Sequence, residues 1–289
     1  MPSQLSSFKS SKGEAEYVSA YDTVLKLWPV PFEENDIMTR FGTTHVIASG
    51  SKGSPPLFLL HATGASSTMW FPNIGALSSA FRVYDVDIIG EPGKSRQSRL
   101  LRNREDCANW LGDVMQELCL ERTNIAGLSY GGWHTLNFSL FFPDKVNKIV
   151  ALAPGASILR FSLPVFLLLR LLPYSPVKPN PLRSFFNKGF YPNELFAKQF
   201  ASGVKHFRYP TPNESIFTNV FSEVELREID VPTLFIVGEN EVIYDPVAAI
   251  EKVNQLIPNV ETKLVPNASH FVSMEQPALV NNHILKFLG

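Results

Sequence analysis

A serine flanked by glycines stands in the stretch Gly127-Leu128-Ser129-Tyr130-Gly131. The apolar residues before it predict a buried strand, and the residues from Trp133 onward have the apolar spacing of a helix. A strand, a sharp turn with the pattern G-x-S-x-G and a helix form a nucleophile elbow, which holds the serine hydroxyl clear of the sheet. Because this context is present, a chance match to the pattern is the weaker alternative. We predict that Ser129 is a catalytic nucleophile.

A serine hydroxyl needs a base to take its proton, and the base needs an acid that fixes its tautomer. In elbow folds the acid and then the histidine follow the serine, each on a loop after a later strand. His270 lies in the loop after the predicted last strand and is the predicted base. The predicted acid is Glu241, three residues after Gly238. Asp245 is the alternative, although Pro246 behind it favours a role as a helix N-cap.

The residues after the predicted strand 56–60 are His61, Ala62 and Thr63. A loop in this place supplies one backbone N–H of an oxyanion hole, and the residue after the nucleophile, here Tyr130, supplies the other. We expect the Thr63 N–H to be the first donor, with Ala62 as the alternative. We expect His61 to order the loop through hydrogen bonds and to transfer no proton.

Two carboxylates and two glycines lie close together in the segment Asp85 to Ser95. Their spacing fits neither a dinucleotide-binding nor a P-loop pattern, so a structural turn is expected. Elsewhere the sequence has no cluster with the spacing of zinc or calcium ligands. We therefore predict no metal and no cofactor.

Apolar strand patterns alternate with helical ones, which is typical of an α/β fold: a mostly parallel sheet with helices on both faces. An antiparallel hairpin at the sheet edge is predicted over 36–41 and 43–49. The further predicted strands are 56–60, 82–86, 123–126, 148–152, 233–237 and 260–265, and the predicted helices are 69–77, 103–118, 133–142, 246–257 and 277–288. The core thus comprises residues 36–154 and 232–289, after a partly loose N-terminal extension over 1–35.

Residues 155–231 interrupt this alternation with proline-punctuated segments rich in Phe and Leu, and no strand is predicted there. An apolar insertion between two sheet strands predicts a helical cap over the strand ends, with ordinary peripheral helices as the alternative. Apolar side chains crowd 161–169 too densely to face a single core. We expect some of them, Phe166 and Leu169 in particular, to line a substrate pocket above Ser129.

The chain has 289 residues, of which 45% are hydrophobic and 18% charged, with a net charge of −1. No basic run or acidic tail indicates nucleic acid or an anionic membrane as a partner. The apolar segment 161–172 is too short to cross a bilayer and contains Pro164 and Arg170. The first residues lack the apolar region of a signal peptide, and the two cysteines are expected to be buried and reduced. These features predict a cytoplasmic protein.

Five segments together resemble the α/β-hydrolase superfamily over nearly the whole chain after Asp36: 61–64, 87–95, 127–131, 238–241 and 268–270. The strings at 39–50, 67–70, 85–90, 241–246 and 273–277 are similar to those of bacterial carboxylesterases of the naproxen-esterase type (carboxylesterase NP). The resemblance implies a cytosolic ester hydrolase with a Ser-His-Glu triad that accepts bulky acyl groups. One difference is His61-Ala62, where the family usually has His-Gly. Alanine would be strained there if the position required positive φ.

The leading hypothesis is therefore a carboxylic ester hydrolase that acts on a small apolar ester through an acyl-enzyme. The same residues serve in thioesterases, C–C hydrolases, peptidases and perhydrolases, so the fold alone does not select the substrate. A non-catalytic binder of small molecules is a further alternative. The oligomeric state, the natural substrate and the enantiomer preference are left open by the sequence.

Overall fold

The computed structural model describes residues 5, 7–162, 181–208 and 220–289. The predicted pocket residues Phe166 and Leu169 lie outside these ranges. The described strands, in chain order, are β1 (Ser7–Phe8), β2 (Phe32–Thr39), β3 (Gly42–Ser49), β4 (Pro56–Leu60), β5 (Arg82–Val86), β6 (Arg96–Gln97), β7 (Thr123–Leu128), β8 (Val146–Leu152), β9 (Phe207–Arg208), β10 (Thr233–Gly238) and β11 (Val260–Val265).

The described α-helices follow the same order. They are α1 (Ser11–Leu25), α2 (Phe71–Leu77), α3 (Arg104–Glu117), α4 (Tyr130–Phe141), α5 (Glu194–His206), α6 (Glu223–Arg227), α7 (Pro246–Leu256), α8 (Val272–Glu275) and α9 (Pro277–Leu288). Short 3₁₀ turns cover Ser67–Trp70, Pro143–Lys145 and Pro181–Phe185.

The central sheet has nine strands in the order β11-β10-β8-β7-β4-β5-β3-β2, with β6 paired to β3. The six strands from β11 to β5 in this order run parallel, while β3 is antiparallel to both β5 and β2. The edge hairpin β2–β3 turns at the pair Thr39 and Gly42, where Gly42 has φ +131°. The predicted mostly parallel sheet with an antiparallel edge hairpin is thus confirmed.

Alternate side chains of the central strands enter two apolar cores, one on each face of the sheet. In β4, Leu57 and Leu59 lie in one core and Phe58 and Leu60 in the other, because successive strand side chains point to opposite faces. Helices α3, α4 and α7 cover the second core, and α1, α2, α5 and α9 cover the first. Full burial of one such side chain is worth about 1.5–3 kcal/mol, so both cores stabilise the strand ends that carry the site.

The N-terminal extension contains a helix, α1, that was not predicted from the sequence. Ser10 caps α1 by accepting a hydrogen bond from the Gly13 N–H, at 3.1 Å. Helix α1 packs on α5 of the insertion, and a Cβ on Gly13 would stand 2.6 Å from His206 Nδ1. Strand β1 pairs antiparallel with β9, so the insertion contributes a two-residue strand that was not predicted either. The N-terminal extension and the insertion therefore pack against each other.

Among the described helices, none is long and apolar enough to cross a membrane. The two cysteines are both free, but their environments differ: Cys107 is buried in α3 and Cys119 is exposed. The expectation that both are buried is wrong for Cys119. It follows the end of α3 in a turn with φ +56°, which carries its side chain out of the core.

Candidate active site

Ser129 occupies a strained turn between β7 and α4. Its φ of 56° and ψ of −111° are unfavourable for a residue with a Cβ. The backbone is held from both sides, because the Ser129 N–H donates to Leu152 O at 2.9 Å and its carbonyl accepts from Trp133 N at 2.9 Å and Gly155 N at 3.1 Å. The surrounding sheet therefore imposes the conformation, and the side chain remains half-buried rather than enclosed.

The glycines on either side of Ser129 allow backbones to touch. A Cβ on Gly131 would lie 2.1 Å from Leu60 O, and one on Gly127 would lie 2.2 Å from the carbonyl carbon of Gly131. No side chain fits in either place, so α4 begins directly against β4 and β7. This contact fixes the helix N-terminus, and with it the Tyr130 N–H, beside Ser129.

Gly155 also lies at the candidate site, although the sequence did not predict a role for it. A Cβ there would stand 3.3 Å from Ser129 Oγ, so the glycine leaves space beside the hydroxyl. Its neighbours Ala153 and Ala156 have φ of +39° and +46°, which marks a tightly constrained turn after β8. The available signal was Ala-Pro-Gly-Ala directly after a buried strand, at the end of the sheet where loops carry function.

The predicted acid and base are in contact. His270 Nδ1 lies 2.9 Å from Glu241 Oε2 and 3.1 Å from Oε1, and both side chains are almost completely buried. Glu241 Oε1 also accepts from the backbone N–H of Val242 at 2.8 Å and of Ile243 at 2.9 Å. A carboxylate only accepts hydrogen bonds, so Nδ1 carries the proton and Nε2 of the neutral ring is left as the base.

Asp245 stands apart from this pair. Its Oδ1 accepts from the N–H groups of Val247 at 2.9 Å and Ala248 at 3.0 Å, which makes it the N-cap of α7. Ser129 and His270 follow β7 and β11, in one half of the sheet. Among the described residues, Ser129 Oγ makes no hydrogen bond to His270. Such bonds often tighten only once substrate is bound.

The loop after β4 is ordered by buried groups. His61 Nδ1 donates to Ala62 O at 2.9 Å and Nε2 accepts from Ile88 N at 2.8 Å, while burial lowers the pKa of the ring. His61 is therefore neutral and held at both nitrogens, as predicted. The Gly64 N–H donates to the buried carboxylate of Glu91 at 2.8 Å, a contact that gave no signal in the sequence.

The two oxyanion candidates in this loop differ in their surroundings. The Ala62 N–H lies 3.4 Å from Met69 Sδ, whereas the exposed Thr63 has no acceptor for its N–H within the described part of the chain. Ala62 is absent from the residues with positive φ, and the left-handed position is Gly64, with φ +77°. Alanine in place of the family's glycine is thus free of backbone strain.

Asp87 holds the turn after β5 through both of its carboxylate oxygens. Its Oδ1 accepts from Ser67 N at 2.9 Å and Ser67 Oγ at 2.7 Å, and its Oδ2 accepts from Lys94 N at 2.8 Å. A Cβ on Gly93 would stand 2.7 Å from Asp87 Oδ2, which explains the glycine. In the ranges that the structure covers, no three His, Cys, Asp or Glu side chains are placed to hold a metal ion.

Two parts of the insertion reach this region. Gln199 of α5 accepts from Thr68 Oγ1 at 2.8 Å and donates to Ser66 Oγ at 2.8 Å, next to the loop after β4. Phe185 has its ring centre 5.8 Å from that of His270, and the neighbouring Phe186 stacks on Phe271. The insertion therefore packs against the loops that carry His270 and Thr63.

A mostly parallel sheet with helices on both faces, and a strained serine between a strand and a helix, define the α/β-hydrolase fold. The chain belongs to this family: the family model described as alpha/beta hydrolase fold matches residues 55–277. This confirms the fold and the superfamily that the sequence motifs indicate.

The similar proteins narrow the group. The chain is 42% identical, over 94% of its length and 92% of the relative, to an uncharacterized carboxylesterase, nap, of Bacillus subtilis (strain 168). It is 38% identical to carboxylesterase YbfK of the same strain, over 97% of this chain and 96% of the relative. The crystal structure of naproxen esterase (carboxylesterase NP) from Bacillus subtilis superposes with a TM-score of 0.91 at 40% identity, covering 97% of this chain and all of that one.

Proposed function

We propose that the protein is a serine carboxylic ester hydrolase in which Ser129, His270 and Glu241 form the catalytic triad. The observation that carries the proposal is the buried hydrogen bond between Glu241 and His270, on the side of the sheet where the strained Ser129 stands. Similar proteins that are named carboxylesterases support the same chemistry.

In the proposed first step, Ser129 Oγ attacks the ester carbonyl carbon while His270 Nε2 takes the hydroxyl proton. Glu241 stabilises the imidazolium that forms and keeps the proton of Nδ1 in place. The tetrahedral intermediate collapses when the C–O bond to the alcohol breaks, and His270 gives its proton to the leaving oxygen. Water then attacks the acyl carbon while His270 takes its proton, and the bond from that carbon to Ser129 Oγ breaks as His270 returns the proton to Oγ, which releases the acid and free Ser129.

The N–H groups of Tyr130 and Thr63 are the proposed oxyanion hole. Tyr130 is the first residue of α4, directly after Ser129, where the helix dipole favours negative charge. Thr63 supplies an N–H without an acceptor among the described residues. Two backbone donors would stabilise the negative charge that develops on the carbonyl oxygen in the transition state and the tetrahedral intermediate.

The proposed substrates are apolar esters with bulky acyl groups. The space that Gly155 leaves beside Ser129 Oγ supports a broad substituent at the carbonyl. We also propose that Phe166 and Leu169 line the substrate pocket, based on the apolar density of their segment.

We also propose a cytoplasmic location, supported by two free cysteines. Fractionation of expressing cells, with the activity assayed in each fraction, tests the location.

Labelling with a fluorophosphonate probe tests the proposed nucleophile. The probe should label the wild type, and Ser129→Ala should abolish labelling and reduce hydrolysis of p-nitrophenyl esters by about 10³-fold or more. Ser139→Ala is the matched control, because Ser139 lies on α4 and donates to Leu136 O away from the site. Labelling of the Ser129→Ala protein at the wild-type level would refute the assignment.

The substrate class is tested by measuring the hydrolysis of a series of esters with longer and branched acyl groups. The same series is measured with the Phe166→Ala and Leu169→Ala variants.

A further inference from the structure

Glu275, the last residue of α8, connects the histidine loop to the insertion. Its side chain is largely buried, at 8% exposed. Oε1 accepts from the backbone N–H of Ser269, next to His270, at 3.0 Å. Oε2 accepts from the backbone N–H of Asn187, which belongs to the insertion, at 2.8 Å. One carboxylate thus joins two segments that are remote in sequence.

The side chain of Asn187 strengthens the same connection. Its Nδ2 donates to Asn267 O at 2.9 Å, and its Oδ1 accepts from Asn240 Nδ2 at 3.3 Å. Asn267 precedes His270 by three residues, and Asn240 directly precedes Glu241. Both loops of the proposed acid–base pair are therefore tied to one residue of the insertion.

The chemistry of these bonds requires an ionised carboxylate. Both partners of Glu275 are N–H donors, so each oxygen must accept, and an amide or a protonated acid satisfies only one of them well. Burial raises the pKa of Glu275 above its usual value, and the two backbone hydrogen bonds, together with His270 when it is protonated, oppose this rise without cancelling it. Glu241 is the other titratable group whose charge acts on Glu275, and it raises the pKa.

We infer that Glu275 is a positioning residue, which holds the His270 loop against the insertion and so sets the orientation of the imidazole. The inference rests on the proposed function of Ser129, His270 and Glu241. Glu275 touches no reacting atom. It acts through Ser269, whose backbone it fixes one residue before the base. The orientation of the base is consequently coupled to the position of residues 185–187, where Phe185 also packs on the His270 ring.

The test compares Glu275→Gln with Glu239→Gln. Glu239 is the matched control because its exposed carboxylate also accepts from a backbone N–H of the histidine loop, that of Asn267 at 3.2 Å. For Glu275→Gln we expect kcat, and the rate of fluorophosphonate labelling, to fall by about 10- to 100-fold, since a small misplacement of a catalytic group is costly. KM should change by less than about twofold. Glu239→Gln should behave as the wild type.

The pH profile separates positioning from a merely structural role. Loss of a negative charge near His270 favours the neutral base, so the acid limb of kcat/KM should move to lower pH in Glu275→Gln and stay in place in Glu239→Gln. Labelling of Glu275→Gln at the wild-type rate, with an unshifted profile, overturns the inference. Absence of labelling in the wild type itself would refute the proposed function instead.

A second variant keeps the test decisive if Glu275→Gln does not fold, as judged by circular dichroism. Asn187→Ala preserves the backbone N–H that Glu275 binds and removes the side-chain bonds to Asn267 and Asn240, together with the local bond from the Lys188 N–H to Asn187 Oδ1. It should lower kcat by about threefold, with the melting temperature nearly unchanged. An unchanged kcat in a folded Asn187→Ala protein contradicts the coupling between the insertion and the base.

Discussion

For single residues, the backbone conformation and the buried acceptors decide which side chain can serve in the chemistry. The sequence offered Glu241 and Asp245 in one loop, and the structure gives them different partners. Glu241 meets His270, whereas Asp245 accepts from two N–H groups of α7. The carboxylate oxygen that caps a helix is directed at backbone N–H groups. Asp245 therefore does not contact the imidazole of His270, and Glu241 does.

This division of roles leads to opposite expectations for the two carboxylates. Glu241→Gln should lower kcat by about 10³- to 10⁴-fold, because the amide no longer fixes the tautomer of His270. The melting temperature should change little, since the amide oxygen still accepts from Val242 and Ile243. Asp245→Ala should cost about 1 kcal/mol in the free energy of unfolding and leave kcat intact.

Steady-state kinetics and urea unfolding of both variants check these values. If Asp245→Ala loses its activity while Glu241→Gln keeps it, Asp245 is the acid and the contact between Glu241 and His270 is structural.

Among the helices and strands, those of the central sheet and most of its covering helices could be predicted, whereas helix α1 and the two-residue strands could not. Strand β4 and helix α9 have the predicted bounds, because a continuous apolar run defines the strand and a proline marks the first turn of the helix. Helix α1 was missed although Tyr17, Tyr21 and Leu25 recur every four residues behind the capping Ser10. The two residues of β9 carry no periodicity, so only their pairing with β1 reveals them.

The start of α4 provides a test of how the elements pack. Gly131→Ala would place a Cβ 2.1 Å from Leu60 O, a backbone atom that cannot move without β4. We expect a loss of about 1–3 kcal/mol in the free energy of unfolding, together with lower activity, because the Tyr130 N–H is displaced.

Gly112→Ala is the control for Gly131→Ala, since Gly112 also lies in a helix, α3. Its Cβ would meet only Phe142 at 3.9 Å and Phe138 at 4.0 Å, which are ordinary contacts. Alanine there should raise the stability by about 0.5–1 kcal/mol. Urea unfolding followed by tryptophan fluorescence measures both. Equal stability of the two variants would show that α4 is not in backbone contact with β4.

For the molecule as a whole, the site is formed by loops and by contacts between segments that are distant in sequence. The sheet fixes the positions of the loops but does not fix these contacts. The placement of Ser129, Glu241 and His270 on loops at the carboxyl ends of strands could be predicted, because each follows a recognisable strand in a fold with a fixed order of loops. Glu275 and Gln199 could not, because their roles depend on segments remote in sequence: Asn187 lies 88 residues from Glu275, and Ser66 lies 133 residues from Gln199. No local pattern encodes such a contact.

The dependence of global stability on pH has an identifiable source in His134. This residue of α4 is buried among Tyr130, Trp133 and Trp110, and no described residue forms a hydrogen bond with its Nε2. Burial, with a smaller contribution from His61, lowers the pKa of His134 to about 3 from a usual value of 6.5. Between about pH 6.5 and pH 3, His134 therefore binds a proton in the unfolded chain but not in the folded chain.

The stabilisation linked to His134 is complete above pH 6.5 and is lost as the pH falls toward 3. Between pH 7 and pH 4 this single group should remove about 3 kcal/mol from the free energy of unfolding. In His134→Leu, which fills a similar volume with an apolar side chain, the difference in the free energy of unfolding between pH 7 and pH 4 should shrink by that amount.

His283→Gln serves as the control, because His283 is only half-buried on α9 and should contribute much less. Urea unfolding at pH 7, 5 and 4 gives the comparison. A wild-type pH dependence in His134→Leu would mean that His134 takes up its proton in the folded protein, and the acid sensitivity would then belong to carboxylates such as Glu225, whose pKa is lowered beside Arg104 and Ser222.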